Sequence, residues 1–140
     1  MQATSDQHKL VIKATVEAWN RHDLDALGKY FEPDVVLERP GFESPLKGLP
    51  AFRKFDEDFL AAFPDARSEI RTLISEGDTV ILEFLMRGHQ TGTFKMHPPT
   101  GKEISIPIVE IFTFKKGKIS TVRRYLDTAA YAQQLNWPVH

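Results

Sequence analysis

A chain of 140 residues, 41% of them hydrophobic, suits one globular domain, residues 1–140, around a single core. A formal net charge of −1, with Lys and Arg dispersed rather than gathered in a run, argues against a nucleic-acid partner. The absence of cysteine excludes a disulfide framework, a thiol nucleophile and Cys-ligated zinc.

Ten Phe, three Tyr and two Trp supply large flat side chains for packing or for lining an apolar pocket. The first residues lack the apolar core of a signal peptide, and no apolar stretch approaches bilayer-spanning length. The expectation is a soluble, unprocessed, cytoplasmic protein that does not engage membranes. From Asp6 to about Trp19, Leu10, Val11, Ala14, Ala18 and Trp19 recur at helical spacing, with Ser5 placed to cap the start. Asn20 to Asp23 interrupts the pattern. Leu24, Leu27, Tyr30 and Phe31 then predict a second, short helix that Pro33 stops.

Val35 to Arg39 has strand character, and Pro40, Gly41, Pro45, Gly48 and Pro50 mark an irregular loop. A third helix follows, with Pro50 in its first turn. Phe52, Phe55, Phe59 and Phe63 form one stripe, and Arg53, Lys54, Asp56 and Glu57 are assigned to the opposite side until Pro64. Such a stripe is either core or a ligand wall.

Beyond Pro64 the period becomes two. Arg67 to Ser75, Thr79 to Gly92, Ile104 to Phe114 and Lys118 to Leu126 read as four strands in two hairpins, an antiparallel sheet followed by a helix from Thr128 to Leu135. Helices toward the N-terminus and a meander toward the C-terminus predict an α+β fold with helices on one side of a curved sheet. In the third of these strands Ile104, Ile106, Ile108, Phe112 and Phe114 share one face and Val109 and Ile111 the other. Two apolar faces need two covers: the helices for one, a second subunit in a homodimer for the other.

Two carboxylates stand out. Glu110 lies on the apolar face between Ile108 and Phe112, where a lone buried charge is costly. It either faces a pocket or turns outward to pair with Arg123 or Arg124. Asp127 ends the last strand on the face of Tyr125 and Arg123, placed either for acid–base chemistry or to cap the following helix. Arg87 alternates to the face opposite Phe84 and Met86, as a partner for Glu83, and His89 reads as structural. A metal site would need Glu38, Glu110 and Asp127 to converge, and none is expected.

Ala18-Trp-Asn-Arg-His-Asp-Leu-Asp25, Phe31-Glu-Pro-Asp-Val-Val36, Ala61-Ala-Phe-Pro-Asp65, Arg87-Gly-His-Gln-Thr-Gly92, Pro98-Pro-Thr-Gly101 and Gly117-Lys-Ile119 through Tyr125-Leu-Asp127 resemble the SnoaL-like polyketide cyclases. Those belong to the nuclear transport factor 2-like superfamily. The resemblance implies a cone: a strongly bent antiparallel sheet wrapped around a long N-terminal helix, a pocket between them, and often a dimer across the outer sheet face. It puts Asp127 where those cyclases carry their acid–base aspartate. Glu110 stands where they place a pocket histidine, and where ketosteroid isomerases of the same superfamily have an oxyanion-stabilising carboxylic acid.

The tyrosine and aspartate of those isomerases are replaced by Thr15 and Arg39, with Glu38 adjacent as an alternative base. Limonene-epoxide hydrolases share Tyr125-Leu-Asp127, but their paired Arg and Asp are replaced by Phe84 and Met86. The leading expectation is cofactor-free enolate chemistry, an aldol-type cyclisation of a hydrophobic polyketide-like or aromatic ketone. Asp127 would be the base, Glu110 or Tyr125 the donor to the enolate oxygen, and Arg123 would keep Asp127 ionised. Trp19, Phe55, Phe59, Phe84, Met86 and Phe112 are the expected apolar wall, and Tyr125, Arg123 and Glu38 the expected polar contacts. The alternatives are a non-catalytic module binding a small hydrophobic ligand, an isomerase like the ketosteroid enzymes, and a cone filled by its own side chains.

Overall fold

Helical and strand periods follow one another along the chain as its sequence pattern dictates. The computed structural model describes residues 2–40 and 44–138. It runs α1 (Gln2–Asn20), α2 (Leu24–Gly28), β1 (Phe31–Glu38), β2 (Leu46–Lys47), α3 (Leu49–Ala62), β3 (Arg67–Glu76), β4 (Thr79–His89), β5 (Glu103–Lys115), β6 (Lys118–Leu126) and α4 (Thr128–Leu135). The strands form one six-stranded sheet in the order β2-β1-β6-β5-β4-β3. The meander β3–β6 is antiparallel, while β1 runs parallel to β6, so the sheet is mixed and larger than the four strands expected. Gly41, part of the predicted loop, lies outside the described residues.

Three local expectations fail for identifiable reasons. Helix α1 begins before Ser5, which is therefore not its cap; Ser5 is buried, with its hydroxyl 3.5 Å from the Gly77 carbonyl. Tyr30 and Phe31 are not helical, because Pro33 belongs to a strand. The β1 ladder jumps from the Phe31↔Ile119 pair to Val36↔Thr121, and Pro33 sits in that irregular stretch, where its missing N–H costs no ladder bond. Strand β4 stops at His89 rather than Gly92. A Cβ at Gly92 would lie 2.2 Å from the Ala61 carbonyl oxygen, and the Gly92 N–H donates to Ala62 O at 3.1 Å, so this glycine lets the chain close on the end of α3.

Alternation places Val80, Leu82, Phe84 and Met86 of β4 and Ile104, Ile106, Ile108, Glu110, Phe112 and Phe114 of β5 on the inner, buried face. Helix α1 packs on β3 and β4, and His8 stacks on Phe114 at 4.0 Å between ring centres. Phe59 and Phe63 stack at 4.7 Å, and Phe94 meets both edge-on. The β5–β6 hairpin closes through Lys116 and Gly117, both at positive φ (51° and 80°), the pair of left-handed positions that a tight two-residue turn requires. The outer face keeps a row of isoleucines in register, Ile74, Ile81 and Ile111; Ile74 is 55% exposed and Ile81 37%. No helix among the described residues is long and apolar enough to cross a membrane.

Candidate active site

Between α1, α3 and the concave sheet lies a cavity of about 210 Å³. Its body is apolar: Trp19 from α1, Phe52, Phe55 and Phe59 from α3, and Phe84, Met86, Ile108 and Phe112 from the sheet. Phe94, Tyr131 and Trp137 add one cluster of neighbouring rings to its lining. Trp137 is held there by stacking on His97 at 3.9 Å and by donating its indole N–H to Gln90 Oε1 at 3.2 Å.

Charge gathers at one side of this hollow. Register sets Glu110 of β5 opposite Leu82 on one flank and Arg124 of β6 on the other. Arg124 Nε and an Nη nitrogen both donate to Glu110 Oε2, each at 2.7 Å. The pair satisfies the buried carboxylate, which would otherwise be strongly destabilising. Asp56, one helical turn from Phe52 and Phe59 on α3, lines the same cavity. Burial pushes the Asp56 carboxyl up from 3.8 to about 7; Arg124 opposes this, while Glu110 and Glu57 add to it. Tyr131 on α4 is likewise pushed up by burial, to about 12, so its hydroxyl remains a neutral donor at physiological pH. The Arg39 and Arg124 guanidiniums lie 5.5 and 5.7 Å from the centre of the Phe55 ring.

The expected site residues divide. Glu110, Trp19, Phe55, Phe59, Phe84, Met86 and Phe112 all line the cavity. Asp127, Tyr125, Arg123 and Glu38 do not. Tyr125 and Arg123 are exposed, in register with the outward-facing Val109 and Ile111. Asp127 is exposed and accepts the Ala129 N–H at 3.0 Å as the cap of α4, so the geometry does not bring it together with Glu110. Arg123 gives way to its neighbour Arg124, because from Val122 to Leu126 the even-numbered residues of β6 face inward. Thr15 and Arg39, which replace the isomerase tyrosine and aspartate, both line the wall. Arg87 reaches Glu69 at 3.3 Å rather than Glu83, whose carboxylate accepts the Thr72 hydroxyl at 2.7 Å. His89 pairs with Asp65 at 2.6 Å on the surface, and that hydrogen bond raises the imidazole pKa. Among the described residues no three His, Asp or Glu side chains are placed to hold a metal ion.

The sequence reading sets Asp56 on the solvent side, although its spacing is informative. Residues 52, 56 and 59 are four and three apart, so the carboxylate belongs to the phenylalanine stripe. Arg39 could have been found similarly, as the next member of the inward series Val35 and Leu37.

A mixed, curved sheet closed over a long helix, with a cavity between them, is the cone-shaped nuclear transport factor 2-like fold. The chain belongs to the SnoaL-like polyketide cyclase family, whose profile matches residues 9–135. Among solved structures, AclR from Streptomyces galilaeus, described as a candidate hydroxylase, is 27% identical. It superposes with a TM-score of 0.85, covering 97% of this chain and 89% of that one. A candidate SnoaL-like polyketide cyclase from Jannaschia sp. CCS1 is 21% identical with a TM-score of 0.88, covering 96% and 95%. IdmH, a candidate polyketide cyclase from Streptomyces antibioticus, is 24% identical with a TM-score of 0.81, covering 93% and 99%. No curated protein is similar enough in sequence to count as a relative.

Proposed function

We propose that this protein catalyses cofactor-independent enolate chemistry, an aldol-type cyclisation or a related step, on a hydrophobic aromatic or polyketide-like ketone. The observation that carries this reading is the pair of carboxylates, Asp56 and Glu110, beside Arg124 in a largely apolar cavity. A carboxyl group with a pKa of about 7 is divided between acid and base at neutral pH, as general acid–base catalysis requires. Ionised Asp56 takes a proton from the carbon next to the ketone, and the C–H electron pair passes into the enolate. The Tyr131 hydroxyl and the Arg124 charge stabilise the developing oxyanion. The enolate carbon then attacks a second carbonyl carbon. A C–C bond forms, the carbonyl π pair moves to its oxygen, and that oxygen takes the proton back from Asp56.

In this reading Asp127 positions α4 and takes no proton from the substrate. The test needs no knowledge of the natural substrate: aromatic and polycyclic ketones are incubated with the protein in deuterium oxide, and exchange of the α-hydrogens is followed by NMR. Exchange should exceed the buffer rate for ketones that bind, and Asp56→Asn should return it to that rate. Ketones that bind without accelerated exchange would leave the second reading, a module that sequesters hydrophobic ligands. That reading is favoured by one observation, the satisfaction of Glu110 by Arg124 within the protein itself. We further propose that two copies meet through the isoleucine row of the outer sheet face, whose exposed apolar surface is otherwise uncovered.

A further inference from the structure

A second hollow, of about 290 Å³, lies between α2 and α3. Four residues, Leu27, Phe31, Phe52 and Asp56, border both hollows, so the two adjoin along one shared wall. Leu24, Gly28, Lys29 and Leu49 line only the second, together with the exposed Arg53–Asp25 ion pair. The main cavity is small. An apolar cavity of about 150 Å³ holds benzene, whereas sites for drug-sized ligands run from about 300 to 1,000 Å³. At about 210 Å³ the main cavity accepts a compact ring system and little more.

We propose that the two hollows are the two halves of one site, and that its ligand is an aryl alkyl ketone: ring in the main cavity, acyl chain in the hollow between α2 and α3. This deepens the enolate reading and rests on it. The chemistry and the geometry agree at one point. In an aryl alkyl ketone the carbonyl and its α-carbon lie between ring and chain, and Asp56 is the ionisable residue on the wall common to the two hollows. A ligand seated this way carries its acidic C–H past the one carboxylate, among the described residues, that both halves share.

Gly28 makes the proposal testable without touching the main cavity. Its φ is not in the left-handed region, and a Cβ there would meet only Leu49 Cδ2, at 3.7 Å, an ordinary contact. Gly28→Trp therefore fills the second hollow, and Leu24→Trp does so from a second position. Two fluorescent ketones with the same head, 6-propionyl- and 6-octanoyl-2-dimethylaminonaphthalene, are titrated into wild type and both variants, with circular dichroism confirming the fold. Each buried methylene is worth about fourfold in affinity, so the octanoyl ketone should bind at least about tenfold more tightly to wild type. Either tryptophan should erase that preference and leave the propionyl ketone within about twofold of its wild-type affinity. Equal affinities in wild type, or a chain-length preference that survives both tryptophans, overturns the tail site and leaves the main cavity as described. Failure of both ketones to bind overturns the aryl-ketone reading itself.

Discussion

Substituting Asp56→Asn should stabilise the protein, and by more at higher pH. Burial raises the Asp56 pKa from 3.8 to about 7, so between those values the folded state holds a proton that the unfolded chain has released. In that window stability falls as pH rises. The group costs nothing well below pH 3.8 and its full penalty, about 4 kcal/mol, above pH 7. Between pH 5 and pH 8.5 the penalty grows by about 2.5 kcal/mol, reduced to about 1.5–2.5 kcal/mol because Asp56 retains some solvent contact. Asparagine keeps the shape and removes the ionisation. The stability difference between the Asp56→Asn variant and wild type, from urea denaturation at a series of pH values, should therefore climb by that amount over the interval. Other groups titrate in both proteins and cancel. A difference that is flat with pH would mean that Asp56 is well solvated, and the acid–base assignment would lose its physical basis.

Arg124→Leu leaves Glu110 buried without its partner and should cost about 3 kcal/mol or more by chemical denaturation, with most of the loss recovered when Glu110→Leu is added. Asp127→Asn preserves an effective cap and should leave stability, ketone binding and α-exchange unchanged, whereas Asp127→Ala should cost about 1 kcal/mol in thermal or urea unfolding. Loss of exchange in Asp127→Asn with the fold intact would return the acid–base role to Asp127. Ile81→Lys places a charge in the outer isoleucine row, and light scattering should show a dimer converted to monomer; a wild-type monomer refutes the interface.

Periodicity carried most of the fold. The phenylalanine stripe of α3 and the alternation in β4, β5 and β6 were strong because each element buries one face against the same core. What stayed illegible depends on pairing between distant segments. The parallel alignment of β1 on β6, and the two-residue β2 at the sheet edge, leave no local period. For the site, Glu110 was conspicuous as a charge in an apolar row, but its partner depended on which face of β6 turns inward. Sharing a face with Asp127 draws Tyr125 and Arg123 into the site expected from sequence. They do share one, and it is the outer face. A strand pattern groups residues by face without saying which face is concave.

Asp56, Glu110 and Arg124 at the cavity wall act on one another in a way that adjusts the pKa that burial sets for Asp56. Arg124 spends its two shortest hydrogen bonds on Glu110 and reaches Asp56 only through space. Glu110 thus raises the Asp56 pKa twice over, by its own charge and by occupying the arginine that would otherwise bond Asp56 directly. Glu110→Gln removes the charge and weakens the hold on the guanidinium, which can then turn toward Asp56. The Asp56 pKa should then fall by about one pH unit or more, and the midpoint of the stability difference between Asp and Asn at position 56 should move to lower pH by the same amount. At neutral pH the ionised fraction rises, yet each ionised carboxylate is a weaker base, so α-exchange measured well above the midpoint should slow in the Glu110→Gln variant. If the midpoint stays where it is, Glu110 serves only to hold Arg124, and burial alone sets the proton affinity of Asp56.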